Sequence, residues 1–181
     1  MTDPAATTMT PSRVRYIKLG EHGEWEKECL KKGIVRIGFF ARKRIPESRI
    51  FSMCQSGLWK DLATLYIADG RNKSTATNFT NQLRLFFEDD GSTLWITFVG
   101  ERLYWGMVAD AKPTRHADGV GVWRDIRGGW RCDDVRGEPL MKDRLSDTVT
   151  VLATFRGTSC DVKESKYVID RLNAKKNTGE D

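Results

Sequence analysis

The chain has 181 residues, of which 39% are hydrophobic, and a formal net charge of +5. That length suits one well-buried domain and is short for two. The opening MTDPAATTMT has neither a basic start nor an apolar run, which excludes the pattern of a secretory signal or membrane span, so a cytoplasmic protein without a membrane partner is expected.

The first twelve residues read as a disordered segment. Val14 to Leu19 then alternates as a strand and stops at Gly20. Trp25, Cys29 and Leu30 lie at helical spacing between Glu24 and Lys32, and Gly33 supplies a C-terminal stop. Ile34 to Phe40 has the β-branched content of a second strand, with Gly38 marking a bulge or a close approach. From Glu47 to Gly70 the apolar spacing predicts two helical pieces broken at Ser56-Gly57. Thr75 to Glu88 carries the helical stripe Phe79, Leu83, Phe86 and Phe87, ended by Asp89-Asp90-Gly91.

The period then changes. Thr93 to Val99, the turn Gly100-Glu101, and Arg102 to Ala109 form the clearest hairpin, with Leu94, Ile96 and Phe98 on one face and Trp95 and Thr97 on the other. Gly119 to Trp123 and Gly129 to Val135 read as further short strands, and Thr148 to Phe155 as a β-rich run. A last helix, Val162 to Leu172, precedes a polar tail at residues 174–181. Helices early and strands late indicate an α+β fold with a strongly bent mixed sheet or a small β-barrel.

Charge is uneven. Residues 1–60 hold 12 Lys and Arg against 6 Asp and Glu, and the densest group is Arg42, Lys43, Arg44 and Arg49 in a segment broken by Pro46. A basic loop of this kind can follow a phosphate backbone, because neutralised phosphates release counterions; a solvated loop is the alternative. Cys29, Cys54, Cys132 and Cys160 are far apart with no CxxC pair, so each reads as a small buried hydrophobe, not as part of a metal set or disulfide framework. His22 and His116 stand in no nucleophile–base arrangement, and His116 reads as an exposed loop residue. No cofactor is implied.

Taken in order, several local patterns resemble the PUA-like superfamily, particularly the EVE and YTH-like domains that read modified bases. Tyr16 to Gly20, Trp25 to Cys29 and Gly33 to Phe39 are similar to the strand, Trp-bearing helix and strand that open the EVE-like targeting domains of modification-dependent restriction systems. Asn81 to Phe86, Leu94-Trp95-Ile96 and Leu103 to Gly106 resemble the middle section, and Gly129-Trp130, Leu140 and Phe155 to Cys160 the end. The matches span 13–173, which reads as a single domain. Gly91-Ser92 stands where members commonly have Gly-Asp, and Phe39-Phe40 where Gly-Trp is frequent.

The resemblance implies a pocket that takes a flipped base between aromatic rings, in a noncatalytic reader of modified DNA used for restriction or antiphage defence. Cutting would fall to a nuclease or NTPase partner. The candidate cage is Phe39, Phe40, Trp59, Trp105 and Trp123; Asn78, Asn81 and Gln82 are candidates for the base edge, since amides both donate and accept. Arg42, Lys43, Arg44, Arg49 and Arg156 are candidates for phosphate. Trp25 and Trp130 read as packing residues. A YTH-like RNA reader and an ASCH-like small hydrolase acting on a modified nucleoside stay open as alternatives.

Overall fold

The computed structural model describes residues 8–175. In chain order these form β1 (Arg13–Ile17), α1 (Glu26–Lys32), β2 (Ile34–Ile37), α2 (Glu47–Gln55), α3 (Trp59–Ala68), α4 (Lys73–Phe87), β3 (Thr93–Val99), β4 (Arg102–Gly106), β5 (Thr114–Arg115), β6 (Val122–Asp125), α5 (Asp147–Thr150), β7 (Ser159–Asp161) and α6 (Ser165–Leu172), with two short 3-10 turns flanking α5. Among them no helix is long and apolar enough to cross a membrane.

Local chemistry accounts for the helices that matter most. In α1, Glu26 and Glu28 occupy the first turn and Lys31 and Lys32 the last, matching the helix dipole, and Gly33 closes the helix at φ +65° with its N–H on the Cys29 carbonyl. Asn72 caps α4 by accepting the Thr75 N–H at 2.8 Å. The α4 stripe Ala76, Thr80, Leu83 and Phe86 is buried.

Two sheets result, ordered β4-β3-β1-β7 and β2-β6-β5. The first is mixed, since β1 runs parallel to β3 and antiparallel to β7. Val14, Tyr16, Leu94, Ile96 and Phe98 pack in one core with Leu103, Val149 and Val168. Ile17 and Trp95, from the opposite face, join the other core with Val35, Ile37, Phe39, Leu62 and Phe86. Strand alternation therefore splits β1 and β3 between two cores. The sheets meet where Val108 bridges Ile126 and the Ala109 N–H reaches the Asp125 carbonyl at 2.8 Å. The described strands do not close, so the architecture is an α+β pair of joined sheets and not a barrel.

Several expectations are corrected. Residues 148–154 are helical, not extended, and only Phe155 has extended backbone. The hydroxyls of Thr150 and Thr154 bond back to the carbonyls of Asp147 and Val151, and Ser146 is tied to α6 by Tyr167 and Glu164, so tertiary anchoring overrides β-propensity. The strand expected at 119–123 begins only at Val122, because Gly119 and Gly121 sit at φ +78° and +71° in a turn. Residues 129–135 contribute isolated bridges through Arg131 and Asp133 in place of a strand. The second strand ends at Ile37, before Phe39 and Phe40. Part of the segment expected to be disordered is anchored, as Met9 exchanges backbone bonds of 2.8 Å with the Asn173 amide; residues 1–7 and 176–181 lie outside the described residues. Cys29 and Cys54 are buried as expected, whereas Cys132 and Cys160 are only half-buried.

One residue just past α4, Asp89, ties it to both sheets, through its carboxylate to β3 and through its backbone carbonyl to β6. Asp89 accepts from the N–H groups of Gly91 and Thr93 and, at 2.7 Å, from the indole of fully buried Trp95, while its carbonyl accepts from Arg124. Asp89→Ala strands a buried indole N–H and frees the β3 turn, and is expected to lower unfolding stability by about 2–4 kcal/mol in chemical denaturation. Asp90→Ala, at the solvent-facing neighbour, should leave the midpoint nearly unchanged.

Candidate functional site

The chain leaves β1 through Lys18, whose N–H bonds the Thr158 carbonyl at 2.8 Å, and turns sharply at Gly20. At φ +88°, a Cβ on Gly20 would lie 2.5 Å from Glu24 Cγ, so only glycine fits. The turn is closed by the Trp25 N–H on the Leu19 carbonyl, which sets Trp25 at the head of α1, across the end of β2. There the tip of its ring lies 3.7 Å from where a Gly38 Cβ would stand.

Past Gly38 the two phenylalanines part. Phe39 is fully buried, edge-on to Phe51, and its carbonyl accepts the Tyr66 hydroxyl, so it has no surface for a ligand. Phe40 adopts φ +58°, a conformation that bulky residues rarely take and that concentrates where a site needs it. Its ring stacks on Phe79 at 4.3 Å and 6°, and Phe79 carries the Arg71 guanidinium 5.1 Å from its own centroid. Trp25, Gly38 and Phe40 line one cavity of about 390 Å³ with Lys18, Glu21, Glu24, Val120, Arg156 and Thr158. That is within the range of about 300–1,000 Å³ for pockets that hold small organic groups.

Beneath it lies a buried charge network. The Arg36 guanidinium, 2% exposed, sits 4.2 Å from the Trp25 ring centroid. It donates to Glu28 at 3.1 Å, to Asp118 at 2.6 Å and to the Val120 carbonyl at 2.7 Å. His116 sits between the same acids, with one ring nitrogen 2.9 Å from Glu28 and the other 2.9 Å from Asp118. The histidine is therefore half-buried, not the exposed loop residue expected. Lys32, foremost, with His116, holds the Glu28 carboxyl down to about 2. Asp118 is likewise held near 2: partial burial opposes its charge, and the bonds from Arg36, the Val120 N–H and His116 outweigh that opposition.

The remaining candidates do not converge on this cavity. Trp59 lines a separate one of about 430 Å³ with Phe87 and Pro113, its indole bonded to Glu88 at 2.9 Å. Trp105 is 6% exposed in the second core, its indole N–H on the Asp133 carbonyl. Trp123 lines a third cavity beside His116 and Asp125. Asn78, Asn81 and Gln82 border the largest groove, about 1120 Å³, between α4 and β7. The Gln82 amide is already engaged there: its oxygen accepts the Ser159 N–H and hydroxyl at 2.9 Å and its nitrogen donates to Asn78. That groove is wide, and Phe155 is its one ring beside the cations Arg13, Arg15, Lys73 and Arg84.

Arg42, Lys43 and Arg44 are exposed just beyond Phe40, Arg49 is exposed on α2, and Arg156 is exposed at the cavity mouth. Trp130 is a packing residue, its indole bonded to the Ile34 carbonyl at 2.7 Å. Trp25 packs against the first core, as its helical spacing implies, and it also borders the cavity, which that spacing does not signal. Burial pushes the Cys29 and Cys54 thiols up to about 12, so neither is a nucleophile near neutral pH.

Because Glu28 and Asp118 are held below their ordinary values of 4.5 and 3.8, the stability they add is present above those values and is lost as the pH falls toward about 2. Glu28→Gln is therefore expected to be about 1–3 kcal/mol less stable than wild type at pH 7, with the gap closing as both are titrated toward pH 2. Denaturation midpoints across that range check it. A gap independent of pH would show that the charge of Glu28, paired foremost with Lys32 and then with His116, is not what the variant loses. No family model, curated protein or solved structure matches this chain.

Proposed function

We propose that the chain is a noncatalytic, PUA-like reader that takes a modified nucleobase of DNA, flipped out of its helix, between Trp25 and Phe40. In this reading it is a targeting module for restriction or antiphage defence, and cleavage belongs to a partner nuclease or NTPase. The observation that carries the proposal is the shared cavity itself. Two aromatic rings border it on separate elements, one at the head of α1 and the other in a left-handed backbone conformation after β2.

Each ring is braced from behind, Trp25 by the Arg36 guanidinium and Phe40 by Phe79. A braced ring needs little ordering when a base arrives. Stacking contributes about 1–3 kcal/mol per base, and flipping costs a few kcal/mol, so two rings and a few edge hydrogen bonds suffice to offset extraction. The Glu21 and Glu24 carboxylates would accept from an exocyclic amino group, and the Thr158 hydroxyl can donate or accept. Lys18 and Arg156 in the cavity lining, with Arg42, Lys43 and Arg44 following Phe40 in the chain, would meet phosphates on the strand that carries the base.

Binding to matched duplexes carrying unmodified cytosine or adenine, 5-methylcytosine, 5-hydroxymethylcytosine or N6-methyladenine tests the reading, with RNA of the same sequence as competitor. Phe40→Ala is expected to weaken binding of the preferred modified duplex roughly 5- to 150-fold, whereas Trp59→Ala, in a separate cavity, leaves it unchanged. Replacing Arg42, Lys43 and Arg44 by Gln should weaken modified and unmodified DNA alike and flatten the salt dependence. Equal, salt-insensitive affinity for every duplex, or preference for RNA, would refute a DNA reader.

A further inference from the structure

Four large apolar side chains stand out on the surface of the described residues, and one of them, Val120, is 45% exposed at the edge of the Trp25–Phe40 cavity. A lone exposed valine is ordinary. The way this one is held is not. Its N–H is fixed by Asp118 at 2.8 Å and its carbonyl by buried Arg36 at 2.7 Å. The next N–H, of Gly121, is fixed by Glu47 at 2.7 Å. Gly121, at φ +71°, lies so close to the end of β2 that an added Cβ would meet the Ile37 carbonyl oxygen at 2.4 Å. The turn is thus clamped by three side chains, from the turn itself, β2 and α2, and it presents an apolar tip to solvent. The guanidinium that holds the tip also backs the Trp25 ring, so tip and pocket wall are one rigid unit.

We propose that Val120 is a wedge for duplex DNA, a side chain that enters the stack beside the flipped nucleotide and covers the gap the base leaves. The assignment rests on the base-reading function above and specifies its substrate as a base-paired duplex. An apolar side chain inserted between base steps unstacks them, and the broader protein surface that the opened duplex can then wrap offsets the cost. A wedge on a stiff turn loses little conformational freedom on insertion. A base already in a single strand leaves no paired gap, so Val120 then has no wedge to form and only borders the cavity.

The test compares wild type, Val120→Gly, Val120→Ser and Val120→Leu on duplex and single-stranded oligonucleotides. Each carries whichever of 5-methylcytosine, 5-hydroxymethylcytosine and N6-methyladenine the wild type prefers. Because the side chain is at the surface, folding of these variants is checked simply by their unfolding midpoints. The glycine and serine variants are expected to lose roughly tenfold more affinity for the modified duplex than for the modified single strand, and leucine should restore duplex binding. A 2-aminopurine placed beside the modified base should brighten on binding wild type and remain dim with the glycine variant, a readout that loss of folding alone would not split between the two substrates. Equal losses on duplex and single strand, or no loss on either, overturn the wedge while leaving the base reader standing. Absence of any preference for a modified base in the wild type overturns both.

Discussion

The burial of one guanidinium organises the region around the cavity. Arg36 lies on a strand whose other residues are apolar, and an unpaired charge there would be too costly to keep. Its pairing fixes the geometry of everything it touches. Glu28 ties it to α1, Asp118 and the Val120 carbonyl tie it to the turn before β6, and the Trp25 ring covers it. The network thus sets the distance between the helix that carries one aromatic wall and the turn that forms the rim. His116 adds a link between the same two acids, so the turn is held from both sides of the carboxylates.

Phe40 depends on a different set of constraints. The strand that precedes it ends at Ile37, and the backbone then has to turn away from β6 while Phe39 remains in the core. The Tyr66 hydroxyl holds the Phe39 carbonyl, and Phe79 on α4 receives the ring that the left-handed conformation turns outward. The strain of that conformation is sustained by packing from α3 and α4. Two supports, one ionic and one aromatic, therefore border a single cavity.

Much of the layout is legible in the sequence. Period-two alternation places Leu94, Ile96 and Phe98 on one face of β3 and Trp95 on the other, as found. Gly33 marks the end of α1, and Asp89-Asp90-Gly91 the end of α4. The failures share a cause. Thr148 to Phe155 has β-rich composition yet is helical up to Thr154, because Ser146 is anchored to α6 and the hydroxyls of Thr150 and Thr154 bond carbonyls three residues back. The five-aromatic cage disperses into three cavities and the core, because ring content says nothing about which rings share a wall. Trp25 packs on the core as its helical spacing implies, while the partners of Arg36 at positions 28 and 118 are remote from it along the chain and give no local signal.

The amino-acid sequence by itself determined the α+β composition, the order of most helices and strands, the apolar faces that form two cores, and a basic run directly after Phe40. These follow from local spacing, which a chain carries without knowing its neighbours. Only the tertiary structure decided that the sheets stay open, that Phe39 is fully buried while Phe40 is half-buried, and that Trp25 and Phe40 share a cavity with Val120. Those outcomes depend on where a buried charge finds its partners and where a strand runs out of pairing, and both are set by contacts between residues far apart in sequence.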